Sequence, residues 1–428
     1  MRVGMGEHAL DFERKVFAKA AWRLVPFMGL LYVASFLDRV NVGFAALSMN
    51  RDLGFSPEVY GFGAGIFFFG YFLFEAPSNM ILERVGARLW IFRIMLTWGL
   101  ISAATAFITG AFSFYVMRFL LGLAEAGFFP GMVLYLTYWF PSSMRARFIA
   151  LFLAAVPLSS VIGAPVSGYI LSLGSFGGLA NWQWLFVLEG IPACLLAFAV
   201  LVLLPDKPAK AAWLDEEEKA LIAKRLAAEP VAAHQHLLPM LRDPRVWLLA
   251  VPDFGIVIGL YGVTLWLPQI VKGLGFSDVE TGFVVAAPYL VSMIVMVAWG
   301  HSSDVRNERI WHIAVAALIG TAGFLATAWL GNSLLSLVTL TVAAATVYAA
   351  LSVFWSLPSS YLGGTAAAAG IGIINSIGNL GGFFGPVMLG WFKAQTGGYA
   401  GGMAALAAML AVAAVMVVVL GRRLELKA

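Results

Sequence analysis

Charge is scarce in this chain. Asp, Glu, Lys and Arg make up 12% of its 428 residues, against about 25% in an ordinary soluble domain, while hydrophobic residues make up 61%. A soluble protein with a large core is excluded, and a polytopic membrane protein is expected. Cysteine is nearly absent: the single Cys194 lies in an apolar stretch, which argues against disulfides, thiolate catalysis and cysteine metal sites. The five histidines show no metal-ligand spacing, and two of them, His234 and His236, fall in a polar loop. No metal site and no cofactor are expected. There is no G-x-x-x-x-G-K-[ST] segment to cradle phosphates, so an ATP-driven pump is excluded. The serines make no hydrolase motif and no catalytic set stands out, so the chain does not read as an enzyme. The net charge of +4 is no nucleic-acid signature, because the basic residues fall in short loops. A cleavable signal peptide is not visible either: roughly twenty polar and amphipathic residues precede the first apolar run, and more runs follow.

What the chain has instead is apolar runs long enough to cross a bilayer as helices. Twelve spans are predicted, over 24–49, 58–81, 88–109, 112–139, 147–172, 182–204, 245–271, 279–301, 310–330, 333–357, 366–393 and 399–421. The 45 glycines suit close helix packing in lipid, where small residues let backbones approach. The one long polar interruption, from Asp206 to Arg245, divides the spans six and six. The expected organisation is a tail over 1–23, a six-helix bundle over 24–205, a central loop over 206–244, a second bundle over 245–421 and a tail over 422–428. Within the loop, 213–228 reads as an amphipathic helix with Trp213, Leu214, Leu221, Ile222 and Leu226 on one side. The segment 7–24 reads either as a helix lying on the membrane surface or as a frayed tail. Arg14, Lys15, Lys19, Arg23, Arg84, Arg88, Arg145, Arg147, the basic residues of the central loop, Arg306, Arg309, Arg422 and Arg423 fall on one side. Only Arg51, Lys272 and Lys393 stand out on the other. Both termini and the central loop are therefore expected in the cytoplasm.

The few charges inside the spans are the most telling residues. Asp38 and Arg39 sit in the first, Arg118 and Glu125 in the fourth. An ionisable group near mid-membrane costs roughly 2.5–3.5 kcal/mol on insertion scales, and such groups mark polar cavities and ion pathways. Asp38 and Arg39 point about 100° apart on a helix, so each needs a partner elsewhere, because side chains meet at spacings of three and four. Arg118 and Glu125 share a face, about 10 Å apart along the axis. A triad or tetrad across spans one and four would satisfy all of them, either as an ion-pair lock between helices or as a titrating, anion-recognising site. There is also an internal echo. Leu82-Glu83-Arg84-Val85-Gly86-Ala87-Arg88 follows the second span, and the run from Gly300 to Arg309, with Asp304 and Arg306, follows the eighth. Two six-span halves of equal topology are a known transporter plan, with the substrate site near mid-membrane between them.

On these residues the chain resembles the major facilitator superfamily. The cluster after span two is similar to that family's loop G-x-x-x-D-R-x-G-R-R, with Asn79 for the first glycine and Glu83 for the aspartate; the later copy keeps Gly300 and Asp304 but has Val305 where arginine is usual. Within the superfamily, Phe36-Leu37-Asp38-Arg39-Val40-Asn41, Gly70 to Glu75, Arg118-Phe119-Leu120-Leu121-Gly122 with Glu125-Ala126-Gly127, and Asn375 to Gly382 resemble the anion:cation symporters. The tracts Glu75 to Asn79 and Tyr135 to Pro141 look most like bacterial tartrate, phthalate and hydroxyphenylacetate permeases. The resemblance implies an all-α fold of twelve transmembrane helices in two pseudo-symmetric bundles, in a bacterial inner membrane. It implies symport of a small organic anion with protons, which are the coupling ion. It implies proton sites at Asp38 and Glu125, with Arg118 pairing with the acid, and substrate contacts at Arg39, Tyr71, Ser352, Trp355 and Asn375. It implies a cytoplasmic gating motif at Glu83, Arg84, Arg88, Asp304 and Arg306. The expected partners are the anion and the bilayer, with no nucleic acid, and the expected state is a monomer.

Other polar groups in the spans leave alternatives open. Glu75 shares a face with Tyr71 and stands where many relatives carry glutamine; it is either a further proton site or a neutral acid bonded to backbone near Pro77. Glu189 reads as a helix-packing hydrogen bond. Asp253, about two turns from Arg245, reads as snorkelling to the interface. Ser352, Trp355, Asn375, Asn379 and Gln269 give the second half neutral groups suited to an organic anion, although glycine-flanked asparagines also cap or pack broken helices. The tract Phe67-Phe68-Phe69 and the pair Phe128-Phe129 read as packing. Two other functions compete: an efflux antiporter for amphiphiles, whose glycine-proline motif is only partly matched by Gly163-Ala164-Pro165 with Gly168, and a membrane sensor that binds the anion without moving it.

Overall fold

A computed structural model describes residues 2–228, 242–358 and 366–425. Inside hydrocarbon every backbone polar group must be satisfied within its own segment, which leaves helices as the form available to these apolar runs. Twelve helices are long and apolar enough to span a membrane: Leu10–Asp52, Pro57–Val85, Ala87–Phe107, Ala111–Thr137, Ser142–Ser172, Asn181–Leu203, Pro244–Lys272, Asp278–Arg306, Ile310–Leu330, Leu334–Phe354, Gly370–Thr396 and Ala400–Arg422. They are numbered span 1 to span 12 below. Twelve crossings put both chain ends on one face, called here the terminal face. The opposite face carries the loops after spans 1, 3 and 5.

The main packing partners repeat when six is added to each span number. Spans 2 and 4 pack as 8 and 10 do, 3 and 6 as 9 and 12, 1 and 5 as 7 and 11, and 1 and 6 as 7 and 12. Across the halves, span 2 meets span 11 and span 5 meets span 8, the same pairing under the same rule, while span 1 meets span 7 on the axis. The fold is therefore two six-helix bundles related by a pseudo-two-fold axis. Small residues make the joint at the opposite face. Gly61 of span 2 lies against the backbone of Pro386 and Gly390 in span 11, and Gly168 of span 5 against that of Asp278 and Gly282 in span 8, with no room for a Cβ. Tyr60 donates across the joint to the Leu265 carbonyl at 2.6 Å.

Two elements depart from the sequence expectation. The stretch before span 1 is neither a surface helix nor a frayed tail: one 51-residue helix runs from Arg2 to Asp52. Its early part is covered, with Val16, Phe17 and Ala20 buried. Lys19 donates to both Glu218 oxygens at 2.8 and 2.7 Å, Arg225 pairs with Glu13, and Arg23 lies over the Trp213 ring. Glu218 and Arg225 belong to the central-loop helix Glu216–Ala227, which Trp213 precedes; its capping box joins Asp215 and Glu218 and its apolar side is packed, with Ile222 buried. The second departure is span 4. It breaks after Glu125: Ala126 leaves helical geometry and Gly127 turns left-handed at φ 83°, before the helix resumes over Phe128–Thr137. Glycine is required there both for that conformation and because a side chain would collide with Ser78.

Candidate functional site

Asp38, Arg39, Tyr71 and Glu125 all lie 13 or 14 residues from the ends of their helices at the opposite face, about 20 Å deep. Arg39, Tyr71 and Glu125 gather where spans 1, 2 and 4 meet span 7. Arg39 is the hub. One end of its guanidinium pairs with Glu125, and the other donates to the Tyr261 hydroxyl of span 7 at 3.0 Å. Ser35, one turn before Arg39 and so on its face, donates to the same Glu125 oxygen at 2.8 Å. The rings of Phe36, Phe67 and Tyr71 surround the cation, with centroids 4.7, 5.3 and 5.3 Å away, within the range of cation–π attraction. Arg39 keeps 7% of its surface exposed and Glu125 none.

Asp38 points elsewhere, as the 100° step requires. It faces span 3, accepting from Trp98 Nε1 at 2.5 Å and Ser102 at 2.6 Å, with Asn41 at 3.3 Å. The expected triad or tetrad is therefore corrected. Arg39 and Glu125 pair across spans 1 and 4, but Asp38 is held by neutral donors. The expected pairing of Arg118 with the acid is also absent: Arg118 is fully buried, reaches the Ala64 carbonyl at 3.5 Å and stands over the Phe67 ring at 5.1 Å, while its Nε and Nη1 have no partner. Phe67 is thus a packing residue that touches both guanidiniums.

Glu75 joins the halves. Asn375 of span 11 donates to its Oε1 at 2.6 Å and Ser376 to its Oε2 at 3.1 Å, so the partners are side chains of the other bundle, not backbone near Pro77. Asn379 lies one turn further on, half-buried. Ser352 and Trp355 are not brought to Arg39. Ser352 bonds its own helix at Ala349 near Gly300 of span 8, and Trp355 follows the end of the span 10 helix with its ring against Phe354. Asp253 does not snorkel; it is 1% exposed, its Oδ1 has no partner, and it faces Gly378 of span 11. Glu189 accepts from Ser167 at 2.6 Å, the helix-packing bond that was expected.

The two loop clusters differ in detail. After span 2, the Arg88 amide donates to Asp206 at 3.0 Å and its guanidinium to the Leu201 carbonyl at 3.4 Å, while Glu83 and Arg84 are exposed. After span 8, Asp304 pairs with Arg309 at 2.6 Å, not with the exposed Arg306. Burial hinders ionisation of Glu308 nearby, but the Trp311 and His312 amides and the His312 ring hold its carboxyl below the usual range. His234 and His236 lie outside the described residues.

Sequence reasoning missed Tyr261, Ser35, Trp98 and Ser102. Ser35 was readable as the i−4 neighbour of Arg39, and Trp98 with Ser102 as two hydrogen-bonding groups one turn apart in an apolar span. Tyr261 carries no local signal, since span 7 is buried on all sides and no face is marked as the one toward Arg39.

The sequence profile described as Major Facilitator Superfamily matches residues 28–386. A protein named "Putative tartrate transporter", from Agrobacterium vitis, is 49% identical over 415 residues, 96% of this chain and 92% of that one. A protein named "Quinolone resistance transporter", from Acinetobacter baumannii, is 40% identical over 421 residues, 97% of each. Among solved structures, the bacterial homologue of the human lysosomal transporter Spinster superposes with a TM-score of 0.76 at 18% identity, covering 93% of this chain and 96% of that one.

Proposed function

This chain belongs to the Major Facilitator Superfamily, and from that premise we propose that it is a symporter importing a small organic anion with protons by alternating access. The substrate class is a hydroxy-dicarboxylate, a sugar acid or an aromatic carboxylate, and the setting is a bacterial inner membrane with both termini cytoplasmic. The observation that carries this reading is the Arg39 guanidinium, held between Glu125 of one bundle and Tyr261 of the other. Its planar fork suits a carboxylate, and Tyr71 lies on its rim. Glu125 already occupies one end of the fork, so an incoming carboxylate competes with it. A buried pair broken on one side costs about 3–5 kcal/mol, because a charge is left uncompensated. A proton on the displaced Glu125 removes that charge. One anion bound then means one proton loaded, which is coupling by competition for one cation. The clusters at Arg88 and Asp304 are assigned to holding the terminal face in its closed state.

Uptake into proteoliposomes tests this. An inward proton gradient should drive accumulation of the anion, and counterflow should proceed without one. The relative named for quinolone resistance favours a second reading, efflux of amphiphilic compounds. Counterflow of a fluoroquinolone with no counterflow of any carboxylate would replace the first reading with that one.

A further inference from the structure

Spans 2 and 11 form one of the two seams between the halves, and the contacts along it run from one side of the Arg39 site to the other. At the opposite face Gly61 lies against Pro386 and Gly390. One turn further in, Gly65 lies against Phe383, and the Phe68 ring fills the space beside Gly382. Then come Tyr71, on the rim of Arg39, and one turn beyond it Glu75, which meets Asn375 and Ser376. Glu75 is 10 residues from the terminal-face end of span 2, and Asn375 is 5 residues from that of span 11. The seam is thus closed by glycine on the opposite side of the site and by a carboxyl on the terminal side.

The other seam, between spans 5 and 8, shows that the fold itself does not call for this carboxyl. Gly282 there meets span 5 as Gly61 meets span 11, and Gly168 meets span 8 as Gly390 meets span 2. Counting from these matched glycines, the position equivalent to Glu75 is Met296, and those equivalent to Asn375 and Ser376 are Leu153 and Ala154. Apolar residues stand at all three. In the 2–11 seam both oxygens of a buried acid accept instead, Oε1 at 2.6 Å and Oε2 at 3.1 Å, and both donors belong to the other bundle. Glu75 keeps 5% of its surface exposed. Hydrogen bonds to an ionised acceptor are roughly twice as strong as neutral ones, so this is a firm tie for its size.

We propose that Glu75 is a gating residue, a carboxylate latch that holds spans 2 and 11 together on the terminal side of the Arg39 site and releases when that side opens. The tight glycine end of the seam serves as the pivot. From Gly61 to Glu75 is 14 residues, about 21 Å along the helix. A tilt of about 3° moves Glu75 by about 1 Å, enough to stretch the bond to Asn375 past hydrogen-bonding range. The latch is therefore at full strength while the halves touch and is gone once they begin to part, which favours two distinct states over a gradual opening. The pair of Arg39 with Glu125 lies within the first bundle and is left whole by this motion. The latch does not depend on which anion is carried or on what drives it.

Double electron–electron resonance on the protein in lipid nanodiscs tests this without any substrate. Spin labels are placed on cysteines replacing Val85 and Val305, exposed at the terminal-face ends of spans 2 and 8, in a Cys194→Ser background. Glu75→Ala should shift the population toward the longer distance by at least about tenfold, the scale for losing two hydrogen bonds to a charged group. Asn375→Ala should shift it less. Adding Asn375→Ala to Glu75→Ala should shift it no further, because the bond is already gone. Glu75→Gln, of the same size and still able to accept from Asn375, should shift it less than Glu75→Ala and serves where the alanine variant does not assemble. A wild-type distance distribution in both Glu75 variants overturns the proposal, as does a further shift in the double variant.

Discussion

Among the described residues, spans 1–6 bury Asp38, Arg39, Glu75, Arg118, Glu125 and Glu189, whereas spans 7–12 bury one acid, Asp253. The main packing partners are the same in the two bundles, so the difference lies chiefly in chemistry rather than in architecture. What the second bundle offers across the joint is neutral: the Tyr261 hydroxyl to Arg39, and Asn375 with Ser376 to Glu75. A hydrogen bond between a neutral and a charged group is worth about 1.5–3 kcal/mol net, while breaking a buried ion pair costs about 3–5. Halves joined this way can part while the Arg39–Glu125 pair travels intact with its own bundle. In the proposed alternating access, putting the charge in one half would keep that interface less costly to open.

The largest expected effect tests whether the charged half holds the anion. Arg39→Ala should weaken anion binding by at least about 30-fold, the scale for losing one partner of a buried charge pair. Arg39→Lys should largely fail too, since lysine offers no planar fork. Isothermal titration calorimetry checks both, and wild-type affinity in Arg39→Lys would make Arg39 a structural residue. Next come the acids. Glu125→Gln and Asp38→Asn should abolish gradient-driven accumulation yet retain counterflow; accumulation surviving in both would move coupling to Glu75. The comparison itself breaks if Asp253→Asn behaves as they do. The expected outcome is unaltered accumulation, and loss would reveal a working charge in the second bundle.

A smaller effect probes the neutral side of the joint. Tyr261→Phe removes one hydrogen bond to the charged Arg39 and should weaken the anion about tenfold, on the order of 1.5 kcal/mol, leaving coupling in place. The smallest belongs to the loop after span 8. Glu308 is held below the usual carboxylate range by hydrogen bonds from Trp311 and His312. Its contribution is fully present above the ordinary glutamate range and is lost as pH falls through the lower, folded value. Glu308→Gln should therefore lower Tm slightly at neutral pH and flatten its decline in acid.

Most of the architecture was legible in the sequence, because lipid permits few forms and apolar runs of sufficient length announce themselves. The pairing of Arg39 with Glu125 was half legible: adjacency ruled out Asp38 as the partner of Arg39, and span 4 offered the acid. Other features depend on tertiary placement. Asp253 reads as an interfacial acid until Gly378 is seen to admit it against span 11. Arg118 and Glu125 lie on one unbroken stretch of helix, but two turns part them and Arg39 of span 1 takes the acid. Ser352 and Trp355 sit on a span whose end lies toward the terminal face, a depth that no periodicity reports.

The helix that begins at Arg2 reaches far outside the bilayer, and its length has a mechanical meaning. Leu10 lies 29 residues from Arg39 on the same rod, about 43 Å at 1.5 Å per residue. For a straight rod, each degree of tilt about Arg39 displaces the Leu10 end by about 0.8 Å. The helix, with Pro26 inside it, joins the buried cation to the central-loop helix that Lys19 and Glu13 hold. A spin label or fluorophore near its Leu10 end would magnify small rotations at the site into distances measurable from outside the membrane.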